Sequence, residues 1–243
     1  MLKVEICCGS ADDVIRAKKA GAHRVELNSA LFAGGLTPSV GSLIEAKKYS
    51  SLPIICMLRP RAGGFCYSEH EFQTIMNDLQ ALKAAGANGF AVGFLNKDGE
   101  LDISRLKAVV EAAGNCEMVF HRAFDCMKAD PFQTANQLAD LGFKRILSSG
   151  RISTAWEGRE LIRELHAMNS IEILPGSGLR RIDLSEFLKA TGCDQIHLTF
   201  HKLEVDPSIQ NPEISFSGNT PADDYVSIVD KEGLMRFIRN LPV

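Results

Sequence analysis

Two carboxylates and two imidazoles occupy short apolar segments where a buried β-strand would ordinarily carry aliphatic residues. Glu5 sits in Leu2-Lys3-Val4-Glu5-Ile6-Cys7 and Glu26 in Arg24-Val25-Glu26-Leu27. His121 closes Met118-Val119-Phe120-His121, and His197 follows Gln195-Ile196. Carboxylates and imidazoles suit proton transfer because their surroundings can drive their pKa values apart. Asp125, just beyond His121, completes this acid/base set. Arg59 and Arg61 end the run Ile54-Ile55-Cys56-Met57-Leu58-Arg59-Pro60-Arg61, and Arg122 follows His121. Guanidinium forks bind carboxylate or phosphate through paired hydrogen bonds. Ser149-Gly150 and Gly176-Ser177-Gly178 add backbone N–H groups that could cradle the same anion, or form simple turns.

An alternative reading makes Glu5, Glu26, Arg59 and His121 a buried ion-pair layer that only fills space. Ionisable groups are a costly filling where aliphatic side chains serve, which favours a ligand-facing role. Metal chemistry is less directly written. The sequence holds no His-x-His, Cys-x-x-Cys or His-Glu-x-x-His. Cys7, Cys8, Cys66 and Cys126 are thiols expected near strand ends or loops, where soft thiolates would select Cu(I). Their spacing alone fits unliganded thiols better than a metal site.

Such groups need strands that deliver them to one place. Eight segments have strand character: 4–7, 24–27, 54–58, 89–93, 117–121, 145–148, 172–175 and 195–199. Between them a junction recurs, in which a helix ends, glycine turns the chain and a strand begins. Lys18-Lys19-Ala20-Gly21-Ala22, Lys83-Ala84-Ala85-Gly86-Ala87, Ala139-Asp140-Leu141-Gly142-Phe143 and Lys189-Ala190-Thr191-Gly192-Cys193 share it. Helix starts are expected at Ser10, Ser68, Thr154, Asp130-Pro131 and Thr37-Pro38. Eight strands alternating with helices predict a single-domain (β/α)₈ TIM-type α/β barrel over 1–243, with parallel strands and outer helices. A doubly wound open sheet is the alternative, but Cys8-Gly9-Ser10-Ala11 lacks a dinucleotide fingerprint. In a barrel the strand C-termini share one mouth, so all the candidate groups would converge there. Residues 201–229 break the rhythm with Pro207, Pro212 and Pro221, and read as a long loop, either lid or oligomer contact. Within it Ile214, Phe216, Tyr225, Val226 and Ile228 are available for packing.

Composition narrows the classes. The 243 residues carry a net charge of −3 and no basic run, so nucleic acid and anionic membrane are not expected partners. The N-terminus has no signal-peptide layout, and a cytoplasmic location with reduced cysteines is expected. No strand ends in an inward lysine, which argues against Schiff-base chemistry, although Lys202 lies just beyond the last strand.

Taken together, several stretches resemble the CutC copper-homeostasis family. They are Glu5-Ile6-Cys7-Cys8, Gly21-Ala22-x-Arg24-Val25-Glu26-Leu27, Gly34-Gly35-Leu36-Thr37-Pro38-Ser39, Arg59-Pro60-Arg61-x-Gly63-x-Phe65-x-Tyr67-Ser68, Phe120-His121-Arg122-Ala123-Phe124-Asp125 and Leu141-Gly142-Phe143-x-Arg145-Ile146-Leu147-x-Ser149-Gly150. The resemblance implies a (β/α)₈ barrel, a cytoplasmic homo-oligomer and a role in copper tolerance through Cu(I) binding. Its suggested copper thiols lie on the first two strands. Cys7 matches the first, whereas Asn28 stands where the family pattern often has the second, and an amide is a poor ligand for a soft ion. Cys8 or Cys66 would then be the partner thiol of Cys7. His197-Leu198-Thr199-Phe200 also departs from the small, serine-containing family motif. Two expectations follow: a Cu(I)-binding homeostasis protein, or a barrel enzyme acting on an anionic small molecule by acid/base chemistry.

Overall fold

The strand Ile54–Met57 (β3) shows how the architecture is built. Successive side chains point to opposite faces. Ile54 and Cys56 join the large cluster beneath the helices, while Ile55 and Met57 join a separate internal cluster. The same alternation runs through β1 (Lys3–Cys8), β2 (Arg24–Leu27), β4 (Gly89–Val92), β5 (Glu117–Phe120), β6 (Arg145–Ser148), β7 (Glu172–Pro175) and β8 (Gln195–Leu198). A computed structural model describes residues 2–211 and 225–241 of this chain.

These strands pair in parallel in the order β7-β6-β5-β4-β3-β2-β1-β8. A further parallel bridge between Gly176 and His197 brings β8 beside β7 and all but closes the ring. The result is the expected TIM-type barrel. Helices α1 (Ala11–Ala20), α2 (Val40–Tyr49), α3 (Glu69–Ala84), α4 (Ile103–Ala113), α5 (Pro131–Asp140), α6 (Arg159–Met168), α7 (Leu184–Thr191) and α8 (Lys231–Arg239) form the shell. Each carries an apolar stripe onto the barrel, such as Phe72, Ile75, Leu79 and Leu82 of α3. Each such buried Leu, Ile or Phe contributes roughly 1.5–3 kcal/mol of transfer free energy. Among the described residues no helix is long and apolar enough to cross a membrane.

Local signals set most helix ends. Ser10 accepts from the Asp13 amide, Ser68 and Glu71 form a reciprocal capping box, and Asp130 caps a helix with Pro131 in its first turn. Gly21 takes the left-handed conformation (φ 97°) that ends α1. Two starts differ from expectation. At Thr37-Pro38 the cap is Ser39, because the Thr37 hydroxyl instead accepts from the Arg59 amide. Thr154 and Glu157 do bond reciprocally, but they close a turn, and α6 begins at Arg159.

The supposed long loop at 201–229 is bounded by an antiparallel hairpin, β9 (His201–Val205) against β10 (Tyr225–Val229). Its base is fastened at both ends. The His201 ring meets the carbonyl of Cys7 at 2.9 Å, and the Val229 amide donates to buried Asp13 at 2.6 Å. Leu203, Val205, Tyr225 and Val226 remain exposed on it, while Ile228 is half-buried. Ile214 and Phe216 lie outside the described residues.

Inside the barrel, polarity is divided. Ile55, Met57, Ala91, Val119, Leu147 and Leu174, from β3 to β7, form a compact apolar plug. The N-terminal end is closed by charge: Arg145 is paired with Glu117 and Glu172, and Gln195 links Glu172 to Arg24. A shallow depression of about 410 Å³ at that end includes Lys144, Glu172 and Gln195, whose polar groups are already paired. Glu5, Cys7, Glu26 and His197 occupy the remaining arc, on β1, β2 and β8.

Candidate functional site

At the strand C-termini lies a cavity of about 600 Å³. Cys7, Glu26, Asn28, Arg59, His121, Arg122, Asp125, Gly176, Gly178 and His197 line it, with Met57, Leu147 and Phe65 as apolar surface. Two walls can be separated by their chemistry.

On the first wall, β1, β2 and β8 are adjacent, and their register sets Cys7 opposite Glu26 and Glu5 opposite His197. Cys7, Glu26 and His197 each offer a ligand atom, and these atoms lie within 4.8 Å of one another. His197 Nδ1 is bonded to Glu5 Oε1 at 2.8 Å, which leaves Nε2 for the cluster. Asn28 Nδ2 donates to Glu26 Oε2 at 2.9 Å and to Cys7 Sγ at 3.5 Å. Glu5 is also paired with Arg24 beneath it.

The electrostatics follow from this crowding. Burial pushes the Glu5 carboxyl up, but His197 and Arg24 outweigh it and hold the group down at about 2. Burial raises both the Cys7 thiol and the Glu26 carboxyl; Glu26 pushes Cys7 further up, and Glu5 does the same to Glu26. Burial would strip the His197 proton, yet bonds to Cys7 and Glu5 and the charge of Glu26 lift it well above its ordinary value. An imidazolium thus balances the carboxylates in the protein alone.

The second wall comes from β3, β5 and the loops after them. The Arg59 guanidinium donates to the carbonyls of Ala33 (2.9 Å), Gly35 (3.1 Å) and Gly63 (2.7 Å). Phe65 lies between Arg59, 5.4 Å from its ring centroid, and the His121 ring at 4.8 Å. Between those strands, β4 is followed by Gly93, where a Cβ would come within 2.4 Å of the His121 ring. That vacancy of side chain lets His121 lean across. Its Nδ1 accepts from the Ala123 amide at 3.1 Å, while burial and the charge of Arg59 depress its pKa to about 3. His121 is therefore neutral, with its proton on Nε2.

Similarity to known proteins shows the family. Residues 2–202 match the CutC family. The chain is 43% identical to a CutC family protein from Treponema denticola, with 99% of each chain covered. The chain belongs to the CutC family. Another CutC family protein, from Klebsiella pneumoniae, is 41% identical over 93% of this chain and 91% of its own. Among solved structures, CutC from Streptococcus agalactiae, provisionally named a copper homeostasis protein, superposes with a TM-score of 0.75 at 31% identity. It covers 81% of this chain and 98% of its own. A provisionally named phosphonomutase from Burkholderia cenocepacia (TM-score 0.61, 18% identity, 81% and 86% covered) shares the fold.

In this CutC family chain the expected site residues do not all reach the cavity. Glu5 lies below it and is fully paired, so it orients His197 rather than exchanging protons with a ligand. Arg61 turns away to Glu71 at the start of α3, so it is not an anion clamp at the mouth. The Ser149-Gly150 cradle is already filled. Asp125 accepts from the amides of Ser149 and Arg151 and from both Ser148 and Ser149 hydroxyls, while Gly150 donates to Ser148. Asp125 is thereby a latch between loops, also paired with Arg122 at 2.8 Å, rather than a free acid or base. Gly176 and Gly178 do line the cavity.

Cys8 faces the helix shell, with its thiol on the Ile6 carbonyl, and burial lifts its pKa well above normal. Cys66 is exposed and does not line the cavity, whereas Cys126 does. Among the described residues, Cys7 clusters with Glu26 and His197 and with neither Cys8 nor Cys66. Asn28, expected beside Cys7, does line the cavity, and Phe65 is a cavity residue that charge and thiol chemistry do not single out. Its position after Gly63-Gly64 was the available signal.

Proposed function

We propose that this CutC family chain binds one Cu(I) ion at the floor of its mouth cavity, between Cys7 Sγ and His197 Nε2. The reading is carried by the convergence of Cys7, Glu26 and His197 within 4.8 Å. Thiolate and imidazole suit a soft monovalent ion, and Glu26 supplies a third donor or a balancing charge. Glu5 on His197 Nδ1 fixes the ring with Nε2 towards the metal, the arrangement by which a carboxylate raises the basicity of a metal-bound imidazole. Asn28 is not a ligand in this scheme. Its amide donors stabilise negative charge on Cys7 and Glu26.

The test is anaerobic titration of reduced protein with Cu(I) against a chromophoric chelator. Cys7→Ser and His197→Gln are expected to weaken binding by about two orders of magnitude, while Cys8→Ser and Cys66→Ser leave it unchanged. Wild-type affinity no better than that of Cys7→Ser would overturn the assignment.

A further inference from the structure

The copper proposal uses only one wall of the cavity. On the other, two buried donors point to no partner. Arg59 Nε and His121 Nε2 both lack a hydrogen bond among the described residues, although Arg59 is 8% exposed and His121 only 3%. Both line the same cavity and both flank Phe65. Arg59 is also a buried cation whose partners, three carbonyls and the Tyr67 hydroxyl, carry no charge, and no Asp or Glu pairs with it among the described residues. Buried donors and buried charge without partners are costly, and a site that keeps both is arranged for something that supplies them.

We propose that this wall binds the carboxylate of a small organic monoanion, through Arg59 Nε–H and His121 Nε2–H. Its organic part would rest on Phe65, Met57 and Leu147, the apolar surface of the cavity. Water can satisfy two donors, but only an anion also balances Arg59. A single negative charge fits best, because Glu26 lines the same space and would repel a phosphate dianion, while Arg122 there is already paired with Asp125. His121 suits the role as a neutral donor whose tautomer is fixed by the Ala123 amide. Its donors follow β3 and β5, whereas Cys7 and His197 stand on β1 and β8.

Isothermal titration of metal-free protein with acetate, glycolate and benzoate, and with inorganic phosphate as the contrasting anion, tests the assignment. Saturable one-to-one binding of at least one carboxylate, tighter than phosphate, is expected. Arg59→Lys keeps the charge but loses Nε–H, and His121→Asn keeps the acceptor for Ala123 but loses the Nε2 donor. Each is expected to weaken carboxylate binding about tenfold or more, while Cys66→Ser binds as wild type does. Should either variant fail to fold, the His121 Nε2–H resonance of wild-type protein serves instead, and it should move downfield with the bound carboxylate. The proposal is overturned if no carboxylate binds, if phosphate binds at least as tightly, if folded variants bind like wild type, or if the resonance does not move.

Discussion

Glu5 illustrates how a residue can look catalytic and act structurally. Its type and strand position suggest an acid or base, yet Arg24 and His197 hold it ionised down to about pH 2. Because its folded pKa lies below the unfolded value of about 4.3, its contribution to stability is complete above that value. It is lost as pH falls through the folded pKa. Glu5→Gln should therefore cost about 3 kcal/mol near neutral pH, where Arg24 and His197 lose a buried counter-charge, and about half as much near pH 3. Urea denaturation at both pH values measures this, and a pH-independent difference would contradict it. His197 works in the opposite sense: its raised pKa favours folding below the ordinary histidine value and loses that contribution as pH rises through the folded pKa. Copper bound as proposed would displace that proton and the one on Cys7, so Cu(I) affinity should fall steadily on acidification.

At the scale of elements, the loops after β5 and β6 are tied by one carboxylate. Asp125 takes the N–H groups that a phosphate would otherwise occupy. Asp125→Asn would turn one acceptor oxygen into a donor facing those amides. It should lower stability by about 2–4 kcal/mol and raise hydrogen exchange at Ser149–Arg151; unchanged exchange there would remove the latch role. The strands and the glycine-terminated helices were legible because each depends on a few neighbouring residues. The filling of the Ser149-Gly150 turn was not, since its occupant lies 24 residues earlier in the chain. Thr37 and Thr154 fail as helix caps for the same reason: Thr37 is drawn to Arg59, and the Thr154 turn packs Gly158 against Gly150.

For the molecule as a whole, the two ends of the barrel divide stability from ligand chemistry. Arg145, 2% exposed, pairs with Glu117 and Glu172 at the closed end, far along β6 from the mouth. Arg145→Met should lower unfolding free energy by only about 1 kcal/mol, because Glu117 and Glu172 are part-exposed and Glu172 keeps Lys144. Cu(I) affinity of the folded variant should stay within about twofold. Chelator competition beside chemical denaturation checks both, and equal losses in each would show that the ends are not independent. Within the barrel, the apolar plug from β3 to β7 leaves β1, β2 and β8 to carry the cluster of Cys7, Glu26 and His197.

The sequence by itself determined the βα rhythm, the inward set on each strand and the family resemblance, because side-chain alternation and helix ends are local properties. Tertiary structure alone decided which inward groups reach the cavity and which are spent on one another. Glu5, Arg61 and Asp125 are consumed by partners brought up by other elements, while Arg59 and His121 are left with donors unmet. For Glu5 it is closure of the ring that sets the pairing, since it places β8 against β1 and lets His197 meet both Glu5 and Cys7.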